Sequence, residues 1–243
     1  KKYNIEAEQL VEKQQQIQED LERLEQSDAS LETLKTELDQ AWQNYLEHAN
    51  KLKKSRLKAA KNLSNIVTEG MQTLGMPNGL FEVALSDAEQ PNANGTDKVI
   101  FNVTANKGQP LQPLSKVASG GELSRISLAI QVATSEVAQL PTLIFDEVDV
   151  GIGGGIAEVV GQKMQQLGKE KQIFSITHLA QVASHGHTHL HIQKQTKDEA
   201  TFTQVNALSE EDRIQELARM IGGLKVTEQT IAHAKEMLQT AHP

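Results

Sequence analysis

Apolar residues recur every seven positions over the first third of the chain: Leu10, Ile17, Leu24, Leu31, Leu38, Tyr45, Leu52, Ala59 and Ile66. Weaker apolar partners such as Leu21, Leu34, Ala49 and Leu63 fall between them, and no glycine or proline occurs before Gly70. This spacing predicts a long helix that pairs with another helix as one arm of a coiled coil. A single amphipathic helix lying on the rest of the chain is the alternative. Gly75, Pro77 and Gly79 end the pattern. The organisation read from it is an arm at 1–70 and a globular part at 71–243.

Past that boundary the period changes. Phe81, Val83 and Leu85 alternate, as do Val99, Phe101 and Val103, which predicts two half-buried strands joined by a polar, mobile linker from Ser86 to Lys98. Leu123, Ile126, Ile130, Ala133 and Val137 step by three and four, the mark of a helix with one apolar face. Leu143, Ile144 and Phe145 form an unbroken apolar run, as a strand buried on both faces requires. Ile173, Phe174 and Ile176 form a second such strand, and Ile156–Leu167 reads as the helix between them. A hairpin over 187–195 and 200–207, a helix opened by Ser209 or Glu210, and a last helix from Val226 to about Thr240 complete the chain. Strands alternating with helices place it in the α/β class.

Polar residues punctuate these elements at places where chemistry is possible. Ser119 is a natural N-cap, Glu122 suits the first turn, and Gly120 and Gly121 let backbone approach a ligand closely. The free N–H groups of that helix start are a seat for a phosphate, although an ordinary glycine-containing cap reads the same way. Asp146 and Glu147 follow an apolar strand, at the edge of a parallel sheet where ligands bind. There Asp146 can hold Mg2+ through water and Glu147 can take a proton from an attacking water; the plain alternative is that both begin the next loop. Asp149 lies on the constrained loop that follows, and His178 ends the second apolar strand, where a packed or capping role is also open. His185, His187, His189 and His191 alternate, and the last three would share one strand face. Three imidazoles there suit zinc or nickel, whereas a polar edge strand is the blander reading.

Together and in this order, SGGELSR (119–125), LIFDEVDVGIGG (143–154) and IFSITH (173–178) resemble the signature motif, Walker B motif, D-loop and switch histidine of the ABC-type ATPases. SGGE in place of SGGQ, with the long heptad arm, is similar to the chromosome-maintenance (SMC-like) branch and argues against a transporter subunit. The runs KVASGGELSRISLAIQV, THLAQVA, NVTANKGQPLQPL and QELARMIGG closely resemble the C-terminal part of the RecN family of bacterial DNA repair ATPases.

The resemblance implies the C-terminal part of an ABC-type, SMC-like ATPase head carrying a long antiparallel coiled-coil arm. ATP and Mg2+ are the implied cofactors, in recombinational repair of double-strand breaks. Ser119, Gly120, Gly121 and Glu122 would bind in trans the nucleotide held by a second head. Asp146 would order Mg2+, Glu147 would activate water, His178 would contact the γ-phosphate, and Asp149 would couple the two sites. The implied partners are an N-terminal P-loop-bearing part of the same protein, a second copy through ATP-sandwiched heads, and DNA. No GxxxxGK[ST] occurs in this sequence: Gly168-Lys169 is followed by Glu170 and lacks the earlier glycine. The chain by itself is therefore expected to be inactive. A coiled-coil DNA-binding scaffold without catalysis is the alternative.

Composition narrows the partners. The net charge of −8 leaves DNA contact to a local patch. Residues 1–50 hold 12 acidic and 5 basic side chains, whereas 51–61 hold six basic and no acidic ones. Lys51, Lys54, Lys58 and Lys61 share one helical face, which suits DNA phosphates or is simply solvated. Absence of cysteine and of any membrane-length apolar run suits a cytoplasmic protein; that it is bacterial and nucleoid-associated is what the resemblance implies.

Overall fold

The structure is a computed structural model and describes residue 6 and residues 10–117, 119–135, 137, 140–197, 200–223 and 225–242. The chain forms two compact units, one of residues 1–57 with 86–98 and one of residues 58–85 with 99–243. Helix α1 (Leu10–Thr73) ends where the glycine-proline signals place the break, and the units divide within it rather than at its end.

In the first unit the heptad stripe is open to solvent: Leu10, Leu24, Leu31 and Leu38 are each more than half exposed. The supposed mobile linker at 86–98 is regular structure. Strands β1 (Leu80–Asn92) and β2 (Gly95–Thr104) are one long hairpin turning at Ala93–Asn94, and Gly95 adopts the positive φ (104°) that the turn requires. Long-range pairing outweighs the polar composition here. The hairpin tip is fixed to α1 by Tyr45 Oη donating to Asn92 O at 3.0 Å and Arg56 donating to Asn94 O at 2.8 Å. The Asp97 side chain is wholly buried between Lys53 (3.2 Å) and Arg56 (3.5 Å). Asp87 (2.8 Å) and then Asp97 hold Lys53 above the usual lysine range.

The second unit packs around one apolar core. It draws Val67, Met71 and Leu74 from the end of α1 and Phe81 and Val103 from the hairpin root. It also takes Ile126 and Leu128 from α2 (Gly120–Ala133) and Ala157, Val160, Met164 and Leu167 from α3 (Gly154–Leu167). Gly70 lets α1 pack closely on α2, since a Cβ there would stand 3.2 Å from Ala129 Cβ. Ser119 caps α2, accepting from Glu122 N–H at 3.3 Å. The helix stops at Ala133, so Val137, expected on its apolar face, lies in a turn and is exposed. The short β3 (Gln112–Pro113) pairs antiparallel with β2.

Strands β4 (Thr142–Phe145) and β5 (Gln172–Ser175) pair in parallel, Phe145 opposite Ser175. Only one face of this pair is covered: Phe145 is buried, but Ile144 is 70% exposed and Phe174 and Ile176 are also exposed. The expected burial on both faces is thus corrected, because helices of the described residues reach one side only. Past α4 (Ala180–Ala183), β6 (Leu190–Lys197) and β7 (Ala200–Ala207) form an antiparallel hairpin. Helices α5 (Glu210–Gly222) and α6 (Glu228–Ala241) join α4 in a smaller core around Leu217, Ala218, Ala234 and Ala180. Ser209 caps α5, and Thr227 caps α6 in a reciprocal arrangement with Thr230. No helix of the described residues is long and apolar enough to cross a membrane.

Leu128 is fully buried at the centre of the larger core. Leu128→Ala is expected to destabilise the second unit by about 2–5 kcal/mol, read as a lower urea midpoint.

Candidate active site

The C-terminal ends of the parallel strands lie side by side, and the polar residues singled out from the sequence gather there. Asp146 and Glu147 follow β4 directly, and Ile176 N–H still bonds Phe145 O at 2.9 Å, which brings Thr177 and His178 beside them. Asp146 and Glu147 are exposed. Asp146 Oδ1 accepts Glu147 N–H at 2.9 Å, and Oδ2 has no protein partner among the described residues. Glu147 is the one described residue other than glycine with a positive φ (57°), a strained conformation for a residue carrying a side chain.

Asp149 faces inward. It is 2% exposed, and its Oδ2 accepts the Thr177 hydroxyl and His178 N–H (3.0 Å), with His178 Nδ1 at 3.2 Å. Thr177 Oγ1 in turn accepts Leu179 N–H at 3.0 Å. The residue expected to couple two sites across an interface is, within this chain, the tie between the β4 loop and the end of β5. The His178 ring itself is largely exposed, so its far edge is free to meet a ligand.

The start of α2 lies against the same loop. A Cβ on Gly120 would run into Glu147 Oε2, and one on Gly121 would stand 3.1 Å from Val150 O and 3.2 Å from Glu147 O. At Gly121 the close atoms are backbone carbonyls and the fit is tight, whereas at Gly120 the close atom ends the flexible Glu147 side chain, which can swing away. Ser119 and Glu122 flank them at the helix mouth.

Thr177, Ser124 and Arg125 touch this site and were not singled out from the sequence. Thr177 had a readable signal, a hydroxyl closing an apolar strand. Arg125 had none: it follows the helix start as a surface arginine would, yet it is buried.

The other candidates lie elsewhere. Strand β6 begins at Leu190, so His187 and His189 precede it and the supposed three-histidine strand face does not form; among the described residues no cluster of three metal-binding side chains exists. Burial, reinforced by the Arg213 charge, pushes His189 below the usual histidine range. His185 is buried, with Nε2 2.7 Å from Glu158 and Nδ1 3.3 Å from Gln165. In the basic stretch of α1, Lys53 and Arg56 hold the hairpin tip and Lys51 pairs with Glu47 at 2.6 Å. Lys54, Lys58 and Lys61 are exposed, with no side-chain partner among the described residues.

No family model matches the chain. It is 45% identical over 242 residues to the DNA repair protein RecN of Vibrio cholerae serotype O1, across 99% of this chain and 44% of that protein. The chain belongs with the C-terminal part of the RecN proteins. The RecN of Haemophilus influenzae is 44% identical over 243 residues, across 100% of the chain and 44% of that protein. The chain thus spans less than half the length of the curated RecN relatives it matches. Among solved structures, the Smc head domain with a coiled coil and joint from Pyrococcus yayanosii superposes with a TM-score of 0.51 at 20% identity. That likeness covers 82% of this RecN-type chain and 37% of the other, and shows the fold: the C-terminal part of an SMC-like head.

Removing the Asp149 carboxylate strands the His178 N–H and leaves the Thr177 hydroxyl only the long bond to Leu179 O at 3.4 Å. Asp149→Ala is expected to cost about 1–3 kcal/mol in chemical denaturation and to speed amide exchange at His178.

Proposed function

We propose that this chain supplies the signature and Walker B half of a composite ATP-hydrolysing site in a RecN-type DNA repair protein, with the P-loop on the part of the relatives' length that it does not span. The observation that carries this reading is the convergence of Asp146, Glu147, His178 and the capped Ser-Gly-Gly helix start at the C-terminal edge of one parallel strand pair. Exposed Ile144, Phe174 and Ile176 support it, because a parallel pair is normally covered on both faces. The missing cover and strands would come from the P-loop-bearing part.

In this reading Glu147 holds the attacking water and takes its proton. His178, its backbone fixed by Asp149, offers its exposed ring edge to the γ-phosphate. Ser119, Gly120, Gly121 and Glu122 present the mouth of α2 to the nucleotide held by a second head, which requires the Glu147 carboxylate to leave Gly120. Asp146 fits a hydrated cation: it is exposed and keeps one oxygen without a protein partner. Mg2+ bound there through water would supply charge neutralisation of the phosphates. The open leucine stripe of α1 would pair with an outgoing helix of the same protein, which would convey the engaged or separated state of the heads to DNA. A non-catalytic DNA scaffold is less favoured, since Lys51, Lys53 and Arg56 of its basic stretch are already paired.

The test is ATP hydrolysis by this chain alone and after joining to its P-loop-bearing half. Activity should appear only in the joined protein. Glu147→Gln should lower kcat by at least about a hundredfold while ATP still brings heads together in sizing experiments. Ordinary turnover by Glu147→Gln would remove Glu147 from its role.

A further inference from the structure

Two adjacent side chains on the first turns of α2 hold the backbone of the carboxylate loop. Ser124 Oγ donates to Asp146 O at 2.7 Å, and Arg125 Nη1 donates to Val150 O at 2.8 Å and to Val148 O at 3.4 Å. The gripped carbonyls are those of residues 146, 148 and 150, so Glu147 and Asp149 are each bracketed by fixed peptides. The two glycines before them complete the joint, since any larger residue at Gly120 or Gly121 would meet Glu147 or Val150.

Arg125 is an unusual choice for this place. It is 6% exposed, burial pushes its guanidinium below the usual arginine range with Glu122 partly offsetting, and its Nε has no partner. A buried cation whose partners are neutral carbonyls adds little stability over an apolar residue of the same size. What the planar guanidinium does provide is one nitrogen, Nη1, that reaches two carbonyls two residues apart. Asp149 sits between those two carbonyls, and Glu147 lies between the gripped carbonyls of Asp146 and Val148 in its left-handed conformation, which persists only where the surroundings dictate it.

We propose that Ser124 and Arg125 are positioning residues for Glu147 and Asp149, locking the carboxylate loop to the signature-type helix so that a shift of α2 carries Glu147 with it. Engagement of the helix mouth and placement of the water-activating carboxylate then become one movement. This deepens the reading of Glu147 as the base and rests on it.

The experiment uses the complete protein, this chain joined to its P-loop-bearing half, and measures kcat and KM for ATP in Arg125→Met, Arg125→Lys and Ser124→Ala, with Glu147→Gln as control. Arg125→Met should lower kcat on the order of a hundredfold with KM for ATP little changed. Arg125→Lys, which keeps the charge and can hold one carbonyl, should recover part of that loss. Ser124→Ala removes a single hydrogen bond and should lower kcat roughly fivefold, which keeps the test readable if Arg125→Met does not fold. Unchanged kcat in Ser124→Ala and in a folded Arg125 variant, with Glu147→Gln inactive, would overturn the positioning role alone. Normal turnover by Glu147→Gln would instead overturn the reading beneath it.

Discussion

A buried carboxylate has to be satisfied, and at Asp149 that requirement sets the arrangement of the whole site. With 2% of its surface exposed, Asp149 has no access to bulk water and takes its donors from Thr177 and His178. An unpaired carboxylate in such a place would cost several kcal/mol, so the loop after β4 and the end of β5 hold each other in register. The exposed Asp146 and Glu147 then stand on a loop whose far end is anchored, and the His178 ring projects from a backbone that cannot drift. From the other side, α2 grips the same loop through its carbonyls. Precision at a site built on loops comes from such supporting contacts.

The first unit solves a different problem with similar means. A long hairpin with a polar tip has little apolar surface to bury, and its strands would be marginal in isolation. Its tip is held instead by charge: Asp97 lies beneath Lys53 and Arg56, and the turn carbonyls accept from Arg56 and Tyr45. The basic stretch that attracts attention as a DNA patch is therefore partly structural. Its remaining lysines, exposed on α1, carry whatever attraction the helix has for phosphate.

Apolar surfaces on regular elements stay open in this chain. Parallel strands bury both faces in folded α/β proteins, yet Ile144, Phe174 and Ile176 are open here, and the leucines of α1 face solvent along several turns. The chain spans less than half the length of the RecN relatives it matches. The open surfaces are apolar and regular; the strand pair buries Phe145 on its other face, whereas the described residues of α1 between 14 and 44 are exposed on every side.

Local pattern in the sequence determined much of this molecule: the arm helix, the strands ending at Asp146 and near His178, the capped start at Ser119, the helix opening at Ser209, and the order of the motifs. Periodicity and capping act within a few residues, so they are legible without a fold. The tertiary structure alone decided that 86–98 is a docked hairpin, that β6 begins after His189, that α2 stops short of Val137, and that Ile144 is left uncovered. It also decided that Asp149 turns inward and that Arg125 is buried under the loop it holds. Arg125 and Val150 are 25 residues apart, and Asp149 and His178 are 29. Contacts at that separation depend on how elements pack, and no spacing along the chain encodes them. The types of residue at the site were fixed by the sequence, whereas which of them face solvent and which serve as ties was fixed by burial.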